Sequence, residues 1–166
     1  GNCVLFVDTL DTAFNLDVKG FKQRSVSSPN NEIIIKGPQE AFVESIRVNT
    51  SMLRRATNTE NLVIENVLVG KLSKTPCAIC YLKNIANSDL VAEVRYRLNN
   101  LEIDTLLSTG QLEQLIETDE GFGIPQVLST ERPDKCAKYL FQGRVVILVN
   151  GNPYAIILPA TIEDFL

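Results

Sequence analysis

The side chains most suited to chemistry here are four cysteines, because all 166 residues lack histidine. Without imidazole, Ser-His-Asp and Cys-His nucleophile systems and histidine metal ligands are excluded. Cys77-Ala78-Ile79-Cys80 has the C-x-x-C spacing of redox pairs and zinc half-sites. A redox pair needs its first thiol at a helix N-terminus, where the dipole lowers its pKa. This pair instead lies within PCAICYL, an apolar run that reads as a strand, so its two side chains are expected on opposite faces. Zinc requires a second pair, and Cys3 and Cys136 stand apart in the sequence. Buried structural thiols in a reducing compartment are therefore expected, with no metal and no cofactor. Asp119-Glu120 and Glu163-Asp164 are adjacent acids on polar segments and read as solvated faces. Gly121 and Gly123 form no phosphate-binding loop, and the Asn49-Thr50-Ser51 acceptor pattern falls on an expected helix. No enzyme activity is expected.

Two charged clusters remain. Arg24, Glu32, Glu40, Glu44, Arg54 and Arg55 surround Gly37-Pro38, and Thr130-Glu131-Arg132-Pro133-Asp134 marks a helix entry. Helix capping and intersegment ion pairs account for both in one reading; in the other, they contact a partner or ligand.

The elements that must position these groups follow from periodicity. GNCVLFVDTLDTAFNLDV (1–18) reads as a hairpin, and GRVVILVNGNPYAIILPA (143–160) repeats its design around an Asn-Gly turn. Aligned without a gap, the two share Gly1/Gly143, Val4/Val146, Val7/Val149, Ala13/Ala155 and Leu16/Leu158. Two such apolar hairpins would bury well in one sheet. Glu32–Lys36 reads as a short strand, and Gly37-Pro38 as the start of an amphipathic helix of about 17 residues, with Phe42, Ile46, Asn49 and Leu53 on one face. Residues 62–70 and 76–82 suggest a second hairpin, and Ser88 or Asp89 a helix reaching Asn99. A strand is expected at 101–107, a helix at 111–117 and another at 133–141. The fold expected is mixed α/β, with two subdomains: a discontinuous outer one, 1–55 plus 121–166, built around the two apolar hairpins, and an inserted smaller one, 56–120.

The composition is 45% hydrophobic and 22% charged with a net charge of −4, which fits a globular chain and gives nucleic acid no basic surface. Runs such as VVILV fall far short of the roughly 20 apolar residues of a membrane span. The N-terminus has no signal-peptide pattern and reads as a cut.

An ordered set of motifs gives the sequence a family resemblance: Arg24, Pro29 and Glu32; GPQEAFVES (37–45); Asn49 with MLRR (52–55); LVIE (62–65); VAEVRYRL (91–98); PQVLSTERPD (125–134); and GRVVILVNGNPYAIILP (143–159). It resembles the N-terminal soluble domain of the A subunit of spore germination receptors, the GerA family. Ser28, Gln39, Ala41 and Ala56 depart from the family pattern. The resemblance implies a longer protein with membrane-spanning helices beyond Leu166, at the spore inner membrane, with this domain on the cytoplasmic (core) side. It also implies partner B and C subunits, with self-assembly of A subunits a further option. The expected role is non-enzymatic coupling of nutrient sensing to the membrane portion. The alternative is a module that binds an amino acid or sugar in the cleft between the subdomains. The expected contact residues are Arg24, Glu32, Gly37, Pro38, Glu40, Phe42, Glu44, Asn49, Arg54, Arg55, Glu131, Arg132 and Pro133.

Overall fold

The computed structural model describes residues 2–6, 12–17, 25–29, 31–32, 37–38, 40–117, 127–161 and 164. In chain order the elements are β1 (Asn2–Phe6), β2 (Ala13–Asp17), α1 (Ile46–Thr57), β3 (Leu62–Val69), β4 (Thr75–Leu82), α2 (Ser88–Asn99), α3 (Thr109–Ile116), β5 (Leu128–Thr130), α4 (Pro133–Phe141), β6 (Val145–Val149) and β7 (Ala155–Leu158). The architecture is mixed α/β. Strands β3-β4-β6-β7-β5 form one antiparallel sheet, and β1-β2 forms a separate two-stranded one.

Alternation along the central strands builds two cores. Cys77, Ile79, Val145, Ile147, Val149, Ile156 and Leu158 face α2 and α3, where Val91, Val94, Leu98, Leu112 and Ile116 meet them. Ala78, Cys80, Val146, Leu148, Ala155 and Ile157 face α1 and α4, meeting Met52, Leu53, Cys136, Tyr139 and Leu140, together with Phe42. A sheet covered on both faces needs unbroken apolar strands, and VVILV is buried at every position. The C-x-x-C pair is split between the two cores, as its strand spacing requires.

This topology revises the expected organisation. β4 of the 56–120 segment pairs with β6 of the 121–166 segment, Cys77 opposite Val149 and Cys80 opposite Val146. The boundaries expected near 55 and 121 thus divide strands of a single sheet: the insert supplies β3, β4 and the helices of one face, and the flanking segments supply β5, β6, β7 and the helices of the other. The terminal hairpins do not share a sheet: β1 and β2 pair with each other apart from the five-stranded sheet that holds β6 and β7.

Local corrections have local causes. The helix expected from Pro38 starts only at Ile46. Asn49, fully buried, accepts the Val43 N–H (2.8 Å) and donates to the Val43 carbonyl (2.6 Å), so the preceding backbone is held out of the helix. Asn87, rather than Ser88 or Asp89, caps α2, accepting from the Asp89 N–H at 2.8 Å. Residues 101–107 form no strand; their backbone carbonyls and amides bond the β3–β4 turn instead, as in Leu72 N–H to Asp104 O at 2.8 Å. The three-residue strand β5 carries too short a signal to be read beforehand. The 133–141 helix and the 62–82 hairpin form where expected. The strand expected at 32–36 lies largely outside the described residues.

After β7 the chain is fastened back onto α4. Asp164 accepts from Arg144 (2.5 Å) and from the Thr161 N–H (2.7 Å) and hydroxyl (2.9 Å), while the Arg144 guanidinium lies 4.4 Å from the Tyr139 ring centroid. The guanidinium holds the Asp164 carboxyl well below the usual carboxylate range.

Candidate functional site

Several of the residues singled out in the sequence lie where an irregular strap, described at 25–29, 31–32, 37–38 and 40–45, meets α1, the end of β5 and the start of α4. Polar groups fix the strap at several points. The Glu131 carboxylate is buried and accepts the backbone N–H groups of Asn31 (2.7 Å) and Glu32 (3.2 Å). Glu32 in turn accepts from the Thr130 hydroxyl (2.6 Å) and from Lys135 Nζ (3.0 Å). Asn31 Nδ2 donates to the Tyr154 hydroxyl at 2.6 Å. Further along, the Phe42 N–H donates to the Glu131 carbonyl at 2.8 Å, and Phe42 itself is buried in the α1/α4 core.

The turn between β6 and β7 holds the end of the strap. Asn150 Oδ1 accepts from the Ile46 N–H (3.2 Å), supplying the cap that Ser45 does not, and the Gly151 N–H donates to the Glu44 carbonyl (2.7 Å). Gly151 makes this approach with φ 87°, a conformation suited to glycine. Gly37, exposed at the strap's bend, has φ 143° and meets the same requirement.

At the α4 entry, Arg132 forks onto Asp134 with contacts of 3.2 and 2.6 Å, and Pro133 occupies the first turn, where its missing N–H costs nothing. The neighbouring Asp134 carboxylate raises the Arg132 pKa, so the guanidinium stays charged. Arg55 reaches Glu40 at 3.3 Å across an exposed rim. Beneath that rim is an open cavity of about 410 Å³ lined by Pro38, Glu40, Met52, Arg55, Ala56, Pro133, Asp134 and Ala137. Its floor is apolar and its rim carries one cation and two carboxylates.

Of the thirteen expected residues, Glu32, Phe42, Asn49, Glu131 and Pro133 are built into the joint between strap and helices, and Pro38, Glu40 and Arg55 line the cavity with Pro133. Arg132 forks onto Asp134 at the helix entry; Glu44 joins through its carbonyl, and Arg54 is exposed on α1. Arg24 lies outside the described residues. Sequence reading missed Asn31, Lys135, Asn150 and Tyr154 as partners, and placed Thr130 only within the cluster at the helix entry. Only Asn150 carried a local signal, as part of a turn, and nothing local tied it to α1.

Cys77, Cys80 and Cys136 are buried free thiols. Burial pushes Cys77 and Cys80 up to about 12, and raises Cys136 well above its ordinary value. Among the described residues, no group of three or more cysteine, aspartate or glutamate side chains is placed to hold a metal ion. No described buried side-chain polar atom lacks a partner, so the joint is a satisfied network.

The family described as "Bacillus/Clostridium GerA spore germination protein" matches residues 1–166. Spore germination protein B1 of Bacillus subtilis (strain 168) is 43% identical over 167 residues, covering 100% of this chain and 34% of that protein. Spore germination protein A1 of the same organism is 36% identical over 162 residues, covering 98% of this chain and 34% of its own length. The chain thus spans about a third of these relatives. Among solved structures, the N-terminal domain of the A subunit of the Bacillus megaterium spore germinant receptor GerK3 is 42% identical, with a TM-score of 0.59, covering 74% of this chain and 97% of that one. With its full length matched by the family and its fold shared with an A-subunit domain, the chain belongs to the GerA family of spore germination proteins.

Proposed function

We propose that this chain is the N-terminal domain of a germinant receptor A subunit and that it couples nutrient sensing to the membrane portion of the receptor without bond chemistry. The observation that carries this reading is the joint at Glu32, Glu131 and Lys135, where a strap from early in the chain is held to α4 by hydrogen bonds and an ion pair. Such a joint can exchange one set of polar partners for another and so shift between packings. Its exposed neighbours Arg54, Arg55 and Glu40 give B and C subunits, or a second A subunit, a charged surface to engage. Among the described residues no helix is long and apolar enough to cross a membrane. On this reading, spans elsewhere in the protein anchor it in the spore inner membrane, with this domain on the core side.

The test is Arg132→Glu in the full-length subunit, which breaks the fork at the α4 entry. Reduced co-purification of partner subunits and a slower germination response are expected, while thermal melting shows the domain still folded. Intact assembly together with intact germination would sink the reading.

The cavity favours a second reading, binding of a small molecule. Its volume falls in the range of ligand sites, and its rim pairs a cation with carboxylates above an apolar floor. It lies between the strap, α1 and α4, not between two subdomains. A two-dimensional amide NMR titration with amino acids, sugars and salts tests it. Saturable shifts at Met52, Arg55, Ala56 and Ala137 would support binding, and a silent spectrum would reject it.

A further inference from the structure

The two edges of the five-stranded sheet are built differently. The β5 edge is three residues long, and its Thr130 hydroxyl is bound to Glu32 of the strap. The β3 edge is eight residues long and pairs with β4 in unbroken register, so it carries no bulge. It contains no Lys, Arg or Pro to discourage further pairing, and its single charge, Glu65, is taken up by Arg95 at 2.7 Å. The main-chain groups it offers follow from the ladder. The Lys83 N–H donates to the Asn61 carbonyl at 3.0 Å, which turns the odd-numbered residues toward β4 and points the N–H and C=O groups of Ile64, Asn66 and Leu68 away from the sheet. Pro76, with no N–H to give, stands opposite Leu68 and fits this phase. Among the described residues, none bonds these outward groups. On the face that α1 covers as far as Leu62 and Ile64, Asn66 is exposed and Leu68 is 63% exposed.

We infer that β3 pairs antiparallel with β3 of a second copy of this chain about a twofold axis at Asn66, joining two five-stranded sheets into one. In such an interface the strand meets itself, so the register must suit its own sequence. Centring the pair on Glu65 sets two carboxylates directly opposite, and centring it on Val67 sets Asn66 against Leu68. Centring it on Asn66 sets Ile64 against Leu68 of the second copy, which covers the exposed leucine, and sets Glu65 against Val67. It also brings the two Asn66 amides together, each able to donate and to accept. The charges agree with this register. Carried past the strand, it places the turn with exposed Lys71 and Lys74 beside Glu60 of the second copy, which is exposed just ahead of β3. Main-chain hydrogen bonds supply the affinity and alternate side chains the register, as in strand addition generally.

This edge is separate from the joint at Glu32 and Glu131 and from the Arg55–Glu40 rim, so the inference stands or falls independently of the coupling reading. Its test is disulfide trapping in the full-length subunit in membranes. Opposed residues of an antiparallel pair have Cα atoms about 4.5–5.5 Å apart, within the span of a disulfide. Under mild oxidation Asn66→Cys is expected to give a covalent dimer about tenfold or more above the parent subunit, whose own cysteines set the background. Leu68→Cys, displaced from its copy by about 13 Å along the strand in this register, should stay at that background. No dimer from Asn66→Cys, an adduct with a different protein in its place, or equal trapping at both positions, as random collision gives, would overturn the inference. A second measurement needs no cysteine. Asn66→Pro removes an outward N–H and leaves the β4 ladder intact, so it should weaken dimerisation of the 166-residue chain, whose sheet is covered on both faces, by about tenfold or more in sedimentation equilibrium. Leu68→Lys serves if the proline variant fails to fold. A dimer indifferent to the substitution, or a chain that stays monomeric at every concentration, would overturn the inference as well.

Discussion

The two faces of the five-stranded sheet are covered in different ways. The α2/α3 face is closed by helices whose stripes and caps are local: Val91, Val94 and Leu98 lie at helical spacing, Asn87 caps α2, and Ser108 caps α3. Its principal ion cluster joins neighbours, with Arg95 forked onto Glu65 at 2.8 and 2.7 Å and the Tyr81 hydroxyl on Glu65 at 2.6 Å. The α1/α4 face is completed across roughly a hundred positions of sequence, by Glu131 with Asn31 and Glu32, Lys135 with Glu32, and Asn150 with Ile46. Four of its buried residues, Asn49, Thr57, Thr130 and Glu131, are polar. The first face has the economy of a structural layer. The second carries a joint between segments far apart in the sequence, and the proposed coupling role is assigned to it.

The largest expected effect tests whether the cores are equal in stability despite this difference. Leu112→Ala behind α3 and Leu53→Ala behind α1 each remove a fully buried side chain and should cost about 2–5 kcal/mol in urea unfolding. If only one costs that much, the two faces do not share one cooperative sheet. Next, Asn49→Ala leaves the buried Val43 N–H and carbonyl unpaired and should cost about 2–3 kcal/mol, with faster amide exchange at 41–45. A loss below about 0.5 kcal/mol would mean that water replaces the side chain and that the strap is not fixed by it.

The caps come third. Asn87→Ala and Asn150→Ala should each lower stability by about 1 kcal/mol. Only Asn150→Ala should also speed exchange in the strap, and equal exchange there in both variants would erase the contrast between local and distant capping.

The smallest effect appears in the acid limb. Hydrogen bonding from Arg95 lowers the Glu65 pKa from its ordinary value near 4.5. Its contribution is therefore complete above the unfolded carboxylate pKa and is lost as pH falls through the lower folded value. Glu65→Gln should flatten the fall in melting temperature below about pH 4.5, where the unfolded carboxylate takes up its proton first. An unchanged acid limb would show that this half-buried cluster adds nothing to folding.

What was legible in the sequence follows the same division. The α4 boundaries, the 62–82 hairpin and the separation of Cys77 from Cys80 rest on periods of 3.6 and 2 and on end signals a few residues away. The start of α1 was misread because apolar spacing continues smoothly from Phe42 to Ile46, while the interaction that keeps 41–45 out of the helix is a side-chain amide turning back on Val43. Glu32 and Glu131 were singled out from their charged clusters, but nothing local tied them to Asn31, Thr130 and Lys135, whose side chains suit any solvated surface.

The sequence alone determined the α/β class, the strands other than β5, most helices, the burial of Cys77, Cys80 and Cys136, and the family, because each rests on local periodicity, burial preference or an ordered set of motifs. Only the tertiary structure decided that the inserted and outer segments share one sheet and that the two similar hairpins have opposite environments. It also decided that the strap is fastened to α4. Strand pairing and side-chain capping over a hundred residues depend on which edges and faces are already occupied, and a linear pattern does not record that.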